Sequence, residues 1–476
     1  MSAREGRGAA WTDERSLRGG KAAPKAPLPS GGSGGSSPRA STAKTVLFIV
    51  TSFWAFGELA IALEFAERMT GTGFRPLFLI PPTHRAQVAA TGFEYQVMIP
   101  GAGKINRIQL ADIGHVHQPA LVVLADFLNY DFCERHYGLR RGDLAVFGCP
   151  IGTFDDFSWG RPGAWLDTYG FQAKVEGEIT LDGLSFRLRP CPLNDPIAEH
   201  NPLDEIGEAQ IYPYPMLENV TDVPDDHRAT VRSELGLAKD RPVVLVTGAT
   251  WQRTHEAYPR VTAFVNACNS MLERLLANLL PHADVLAVGP QLVFGDQVPA
   301  GFHPLGSVPP ERFQRLIQAV DLHISNNIIS VSLHRLALRG IPSVVMINSL
   351  HKRSGRLRWE MPSGGSGGPS PLASSAAPGL SGFAQGVIDD LDYLYPYRMF
   401  PVGWYHFLDS LLAGNPFSDV ITQVETFDEE AALAAILPLL AAGPERDRLA
   451  TAREQYLEAL RKLPEVGSIL NEVAAL

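Results

Sequence analysis

Cysteine is scarce in this 476-residue chain, and long apolar runs are missing. The four cysteines, Cys133, Cys149, Cys191 and Cys268, lie far apart and form no Cys-x-x-Cys pair, so neither a zinc ribbon nor a disulfide framework is indicated. No apolar run approaches the roughly 20 residues that cross a bilayer, and the N-terminus lacks the apolar core of a secretory signal. We therefore predict a cytoplasmic protein without an integral membrane segment.

Motifs of several common cofactor and metal sites are also absent. The sequence holds no Gly-x-x-x-x-Gly-Lys-Ser/Thr loop, no Gly-x-Gly-x-x-Gly and no His-Glu-x-x-His, which are the patterns of P-loop, dinucleotide and zinc-protease sites. We therefore predict neither a bound metal nor a cofactor. The 51 Asp and Glu residues outnumber the 41 Lys and Arg residues, and this acidic balance argues against nucleic acid as a partner.

The charge is unevenly distributed along the chain. Residues 1–44 carry eight Lys or Arg and three Asp or Glu, a net charge of +5, whereas the remainder carries 33 and 48, a net charge of −15. Gly and Ser dominate residues 30–37 and 363–370, and such segments cannot bury apolar area. We predict a disordered basic tail over 1–44 and a flexible insertion over 362–382, which is either a surface insertion or a lid that orders on ligand.

Short apolar runs alternate with helix-length segments from residue 45 onward. The run TVLFIV at 45–50 is typical of a strand buried on both faces of a parallel sheet. Apolar residues recur at helical spacing over 58–69, where Glu and Arg supply a polar side. Further strands are predicted at 76–80, 95–99, 120–125 and 143–147, and residues 151–220 are interpreted as an irregular region.

The same alternation starts again at residue 242. Predicted strands at 242–247, 284–288, 322–325 and 343–347 are separated by helices at 261–280, 310–319 and 330–339, and helices follow at 428–440 and 445–460. Strands that alternate with helices form parallel sheets with right-handed crossovers. We predict an α/β protein with one Rossmann-like domain over 45–225, a second over 226–440, and C-terminal helices over 441–476 that pack back on the first domain.

Three segments of the second half resemble the nucleotide-binding domain of GT-B glycosyltransferases. They are residues 304–313 (PLGSVPPERF), 319–326 (AVDLHISN) and 330–345 (SVSLHRLALRGIPSVV), which look like the family's succession of strand, small-residue loop, helix and Gly-hydrophobic-Pro turn. Residues 45–98 are similar to the family's first acceptor-domain unit. The resemblance implies two facing Rossmann-like domains, with the acceptor bound by the first domain and the donor by the second.

Polar and small residues after the strands of the second domain are candidates for binding the donor. Backbone amides at the start of the helix at 330–339 favour a phosphate group, and the loop after strand 242–247 offers a second anion site. The basic run after strand 343–347 could clamp a diphosphate. Tight turns, a helix cap and a solvated basic face are the alternatives. The predicted donor-binding residues are Gly248, Thr250, Trp251, Ser325, Asn326, Ser330, Ser332, His334, Lys352 and Trp404.

One position departs from the family pattern. The resemblance implies a carboxylate five residues before the Gly of the Gly-hydrophobic-Pro turn, where it would bind the ribose of the donor, and this chain has Arg335 there. A guanidinium cannot accept a hydrogen bond from ribose hydroxyls. Three alternatives follow: His334 replaces the carboxylate, the donor is held differently, or nucleotide binding is lost.

Candidate catalytic groups come from the first domain. The resemblance places Glu58 at the position of the family's catalytic His, and a Glu whose pKa is raised by burial can act as a base. The alternative is an acidic residue that stabilises a helix N-terminus. His115 and His117 are alternative bases or ordinary loop residues, and Asp126 would orient a His or contact the acceptor.

Aromatic segments in the first domain predict a partly apolar acceptor pocket, formed by Trp54, Phe56, Asp155 and Trp159. We therefore predict a metal-independent, inverting glycosyltransferase that moves a sugar from a nucleotide diphosphate donor to a hydroxyl of a small-molecule acceptor. One alternative is a GT-B-like enzyme that acts on a phosphorylated or amino-acid-derived substrate in a specialised pathway. Another is a degenerate member of the fold that binds without turnover. The oligomeric state stays open.

Overall fold

The computed structural model describes residues 43–53, 56–154, 165–168, 171–174, 183–193, 209–216, 225–248, 259–289, 293–295, 297–327, 330–347, 350–353, 356–359, 381–391 and 415–476. Residues 43–476 form one compact unit. Residues 1–42 of the tail predicted over 1–44, and most of the insertion predicted over 362–382, lie outside the described residues. The tail prediction extends slightly too far, because Lys44 already belongs to the first strand.

A seven-stranded parallel sheet forms the first half of this unit. The elements are β1 (Lys44–Ile49), α1 (Gly57–Glu67), β2 (Phe74–Ile80), α2 (Arg85–Thr91), β3 (Glu94–Val97), α3 (Gly103–His117), β4 (Leu121–Leu124), α4 (Phe127–Phe132), α5 (Glu134–Tyr137), β5 (Ile151–Phe154), β6 (Trp165–Thr168), β7 (Phe171–Lys174), β8 (Phe186–Cys191) and β9 (Gln210–Pro215). The strands of the sheet are ordered β3-β2-β1-β4-β5-β8-β9. β1 is an inner strand whose side chains at 46–49 are almost fully buried, as expected for a strand covered on both faces.

A second parallel sheet of six strands forms the second half, in the order β12-β11-β10-β13-β14-β17. Two antiparallel hairpins, β6-β7 and β15-β16, accompany the sheets. The elements are α6 (Asp225–Glu234), β10 (Val243–Thr247), α7 (Pro259–Leu279), β11 (Asp284–Val288), β12 (Phe302–Gly306), α8 (Pro310–Leu316), β13 (Leu322–Ser325), α9 (Val331–Leu338), β14 (Ser343–Ile347), β15 (Leu350–Arg353), β16 (Arg356–Trp359), α10 (Gly382–Leu391), β17 (Thr422–Glu425), α11 (Glu429–Ile436), α12 (Pro444–Leu460) and α13 (Val466–Val473).

Shared cores join the two halves. One cluster of buried side chains contains Leu47 and Val122 from the first sheet together with Leu333 of α9, Val345 of β14 and Tyr456 of α12. A second cluster places α13 against β1 and α1, and the hydroxyl of Tyr212 donates a hydrogen bond of 3.2 Å to Glu472 in α13. The last helix of the chain therefore completes the core of the first sheet.

The prediction of an α/β protein with two parallel sheets is confirmed, but two local predictions are wrong. Residues 143–147 were expected to form a strand and belong instead to the 3-10 helix Arg141–Phe147. Its start is stabilised by the carboxylate of Asp143, which accepts a hydrogen bond of 2.8 Å from the backbone N–H of Arg140. The interval 151–220, expected to be irregular, supplies β5, β8 and β9 to the first sheet.

None of the helices within the described residues is long and apolar enough to span a membrane.

Candidate functional site

Two acidic residues lie at the carboxyl edge of the first sheet. Glu58 is in the first turn of α1, which follows β1, and Asp126 follows β4 and caps the N-terminus of α4. Strands β1 and β4 are adjacent and parallel, so their carboxyl ends meet at one edge of the sheet. This edge is where ligands bind in open α/β sheets. The structure thus brings together two of the three predicted catalytic residues.

Asn129 of α4 links the two acidic residues. Its side-chain Nδ2 donates to Glu58 Oε1 over 2.8 Å, and its backbone N–H donates to Asp126 Oδ1 over 2.7 Å. Glu58, Asp126 and Asn129 are only 7%, 5% and 6% exposed. Glu58 Oε2 is buried and has no hydrogen bond of good geometry to any described residue. One oxygen of Glu58 is therefore held by Asn129, and the Ser52 side chain also contributes a hydrogen bond to this carboxylate.

Burial dominates the electrostatics of this pair. It raises the pKa of Glu58 from 4.5 to about 7, with a second contribution from the negative charge of Asp126 and smaller opposing effects of a backbone hydrogen bond at Glu58 and of the Ser52 and Asn129 side chains. Burial also raises the pKa of Asp126 to about 6, although backbone hydrogen bonds lower it. A carboxylate whose pKa is near neutrality is suited to general base chemistry at physiological pH.

Cys133 lies beside the two carboxyl groups and stays a neutral thiol. Its Sγ donates to the carbonyl oxygen of Thr51 over 3.3 Å. Burial raises its pKa to about 12, and the charges of Asp126 and Glu58 act in the same direction. A thiol in this state is not a nucleophile at neutral pH, so the cysteine contributes packing to the site.

The structure does not bring His115 or His117 to the carboxylate pair. Both are in the last turn of α3, close to the amino end of β4, where the backbone N–H of Ala120 donates to the carbonyl of Thr45 at the start of β1. His115 is exposed. The ring of His117 lies 3.8 Å from the carboxylate of Glu94, the first residue of β3. Both histidines therefore lie at the edge of the sheet opposite Glu58 and Asp126.

The carboxyl edge of the second sheet holds a cavity of about 340 Å³. Gly248, a predicted donor-binding residue, lines it together with Gly289 and Gly306, and apolar side chains from α7 and neighbouring strands form its walls. Gly289 has a φ of +118°, and a Cβ placed on it would collide with the carbonyl oxygen of Gly248. Glycine is required there because the two loops approach each other closely.

The predicted phosphate-binding residues of α9 lie at the same edge. Ser325, the last residue of β13, donates through Oγ to the carbonyl of Asn327 and accepts from the backbone N–H of Asn327, both over 3.1 Å. Asn326 is 7% exposed, whereas Ser330 and Ser332 are half-buried at the start of the helix. The N-cap residue Ser330 makes no side-chain capping hydrogen bond.

His334, the next predicted residue of α9, is turned to the core. It is 2% exposed, and its ring lies edge-on to Phe417 with 4.8 Å between ring centroids. The ring therefore takes part in packing between α9 and the segment before β17.

Arg335 makes an ion pair that connects the two halves of the molecule. Its Nη2 lies 2.6 Å from Oε1 of Glu64 in α1, and the two side chains are 21% and 15% exposed. Burial raises the pKa of Glu64, and the guanidinium opposes that rise. The residue that departs from the family pattern is thus engaged by a carboxylate of the first half. Glu64 was not singled out from the sequence, since it is one of several polar residues on α1.

The structure describes only some of the remaining predicted site residues. Phe56 is 38% exposed, and its ring centroid lies 4.7 Å from that of His84. Lys352 is in β15, opposite Leu357 of β16. Trp54, Asp155, Trp159, Thr250, Trp251 and Trp404 lie outside the described residues. Within the part of the chain that the structure describes, no group of three His, Cys, Asp or Glu is placed to hold a metal ion.

Comparisons with known proteins identify one family and several similar folds. The model of a family described as "Family of unknown function (DUF6365)" matches residues 65–476. No match was found among curated protein sequences.

Similar solved structures include glycosyltransferases. The spinosyn forosaminyltransferase SpnP has 11% identity and a TM-score of 0.49, covering 91% of this chain and 100% of its own. UGT89C1 of Arabidopsis thaliana, complexed with quercetin, has 12% identity and a TM-score of 0.49, covering 90% and 98%. The glycosyltransferase SnogD from Streptomyces nogalater has 14% identity and a TM-score of 0.42, covering 91% and 99%. At these identities the likeness concerns the fold alone.

Proposed function

We propose that this chain, which belongs to the family of unknown function DUF6365, is a glycosyltransferase. It would transfer a sugar from a nucleotide diphosphate donor to a hydroxyl group of a small-molecule acceptor. The observation that carries the proposal is the buried Glu58, whose pKa is raised to about 7 at the carboxyl edge of the first sheet. A ligand-sized cavity at the carboxyl edge of the other sheet supports it.

Glu58 would act as the general base. The hydroxyl of the acceptor would donate to the carboxylate of Glu58 and transfer its proton there. The acceptor oxygen attacks the anomeric carbon while the bond from that carbon to the diphosphate oxygen breaks, and the electron pair leaves with the nucleoside diphosphate. A single displacement of this kind inverts the anomeric configuration. The negative charge of Asp126 would raise the proton affinity of the ionised Glu58 and so strengthen it as a base.

The donor would bind at the carboxyl edge of the second sheet. Backbone amides at the start of α9 and the macrodipole of that helix favour the diphosphate, and the small side chains of Ser325 and Ser330 leave room for it. The cavity beside Gly248 has apolar walls that suit the planar part of a nucleotide. The proposal requires no cofactor besides the donor and no metal ion.

Arg335 would not contact the ribose of the donor. Its guanidinium is held by Glu64, so the ribose has to be bound by other groups, and the ion pair instead would fix α9 against α1. This arrangement supports the alternative, among the three raised by the sequence, in which the donor is held differently.

Binding and turnover test the proposal separately. Calorimetric titration with uridine, thymidine, guanosine and adenosine diphosphates should find at least one that binds, and the matching nucleotide sugars should be consumed in the presence of an acceptor panel of small phenols and alcohols. Glu58→Gln should lower turnover at least about 100-fold with unchanged nucleotide affinity. Glu67→Gln is the matched control, because Glu67 is exposed on the same helix.

Three outcomes would contradict the proposal. If the folded protein binds none of the four diphosphates, the donor assignment is wrong. If Glu58→Gln retains full turnover, Glu58 is not the base. Nucleotide binding without turnover by the unaltered protein would favour a non-catalytic binding protein.

A further inference from the structure

We infer that Asn129 is a positioning residue that holds Glu58 and Asp126 as one pair and keeps Glu58 available as a proton acceptor. The inference deepens the proposed function, and its catalytic meaning rests on that proposal. Its geometric content, that one asparagine bonds to both members of a buried carboxyl pair and favours the ionised form of Glu58, can be measured without any substrate.

The two contacts of Asn129 are made by different parts of the residue. The side chain donates to Glu58 Oε1 over 2.8 Å, whereas the backbone N–H donates to Asp126 Oδ1 over 2.7 Å. The second contact is an ordinary N-terminal cap of α4, and it survives any substitution of the side chain. A change at position 129 therefore alters the surroundings of Glu58 while the cap of Asp126 stays in place.

The electrostatic effects on Glu58 oppose each other. Burial and the charge of Asp126 favour the protonated form, and the hydrogen bond from the Asn129 amide favours the ionised form. Glu58 and Asp126 are buried and share Asn129 as a partner. Ionisation of one carboxyl group disfavours ionisation of the other, so the two lose their protons in coupled steps. The amide of Asn129 shifts that balance toward an ionised Glu58.

The other titratable groups that face the pair are few and come from neighbouring elements. Cys133, which follows α4, remains a neutral thiol because burial raises its pKa to about 12. Asp131 of α4 adds negative charge near Asp126 and is itself paired with Arg141 over 2.6 Å. The charge of Asp131 disfavours ionisation of Asp126, whereas a backbone hydrogen bond at Glu58 and the side-chain hydrogen bonds of Ser52 and Asn129 favour an ionised Glu58.

Carboxyl ¹³C NMR of the full chain, labelled at the side-chain carboxyl carbons of Glu and Asp, tests the inference. The signals are assigned by their loss in Glu58→Gln and Asp126→Asn, and their midpoints are followed from pH 4 to pH 9. In Asn129→Ala the Glu58 midpoint should rise by about one pH unit, because a hydrogen bond to a charged group is lost. In Asp126→Asn it should fall, because the neighbouring charge is removed.

Two further variants keep the result interpretable. Asn129→Asp has nearly the shape of the native residue, so it tests the inference if the Ala variant fails to fold, and it should raise the Glu58 midpoint because it adds a third carboxyl group. Asn471→Ala is the control, since Asn471 is exposed in α13 and bonds only locally to the carbonyl of Gly467. An unchanged Glu58 midpoint in folded Asn129→Ala or Asn129→Asp would overturn the inference.

Turnover, where it is found, gives an independent readout. In Asn129→Ala the acidic limb of the pH–rate profile should move upward by the same amount as the NMR midpoint, with the affinity for the nucleotide diphosphate unchanged. A uniform loss of rate at every pH would instead mean a merely structural role. If no nucleotide binds, the proposed function fails while the NMR titration still decides whether Asn129 controls the pair.

Discussion

Replacing Glu58 by Gln should remove the part of the pH dependence of the free energy of unfolding that comes from the buried Glu58 carboxyl group. In the folded protein the pKa of Glu58 is about 7, against 4.5 for an unperturbed glutamate. Between these values the folded state keeps a proton that the unfolded state has released. The native protein therefore loses stability as the pH rises from about 4.5 to about 7, and the Gln variant, which cannot ionise, does not.

The size of the effect follows from the shift. Each pKa unit corresponds to about 1.4 kcal/mol, so the rise from 4.5 to about 7 amounts to roughly 3 kcal/mol in total. Since the unfolded chain is already largely ionised at pH 5, about 2.5 kcal/mol of this should appear between pH 5 and pH 8. Between pH 5 and pH 8, the free energy of unfolding of Glu58→Gln should therefore rise by about 2.5 kcal/mol relative to that of the native protein. This rise adds to any difference that the substitution already causes at pH 5.

Urea denaturation followed by circular dichroism at pH 5, 6, 7 and 8 measures this difference in the free energy of unfolding. Glu67→Gln, an exposed position on the same helix, should show a difference from the native protein that stays constant with pH. A constant difference for Glu58→Gln as well would refute the reasoning, because it would mean that Glu58 titrates at its ordinary pKa and is not a buried base.

Two further predictions concern the second half of the chain. Asp321→Ala should lower the free energy of unfolding, measured by urea denaturation, by about 3 kcal/mol. The carboxylate of Asp321 forms ion pairs with Arg232 and Arg228 and accepts a hydrogen bond of 2.8 Å from the backbone N–H of Val243. A loss below about 1 kcal/mol would contradict this prediction. Gly289→Ala should cost about 2 kcal/mol, since Gly289 has a φ of +118° and its Cβ would collide with Gly248, and it should weaken nucleotide diphosphate binding in calorimetry.

Several strands could be predicted from the sequence because burial on both faces leaves a local signal. The runs that became β1, β10 and β14 are continuous in apolar residues, which is how buried parallel strands differ from half-exposed ones. β5, β8 and β9 were missed since their sequences, IGTF, FRLRPC and QIYPYP, contain Gly, Pro, polar or charged residues. Residues 143–147 were assigned the wrong element because a local capping hydrogen bond, invisible to a hydrophobic pattern, favours a 3-10 helix there.

The candidate site could be predicted only as separate pieces. Glu58 was singled out from its position after the first strand, and Asp126 from its position after β4. Their contact through Asn129 spans 71 positions in the chain and exists because β1 and β4 are neighbours in the sheet. A pattern along the chain does not determine strand order, so Asn129 carried no signal beyond its place in the first turn of α4.

The α/β class and the repeated alternation of strand and helix could be predicted along the chain, because both follow from local periodicity and burial. Which polar groups meet depends on the tertiary fold. It buried Glu58 beside Asp126 and so raised the pKa of the carboxyl group, and it paired Arg335 with Glu64, 271 positions apart. Desolvation and charge pairing depend on distances in space, and these are set by the order of strands and the packing of helices.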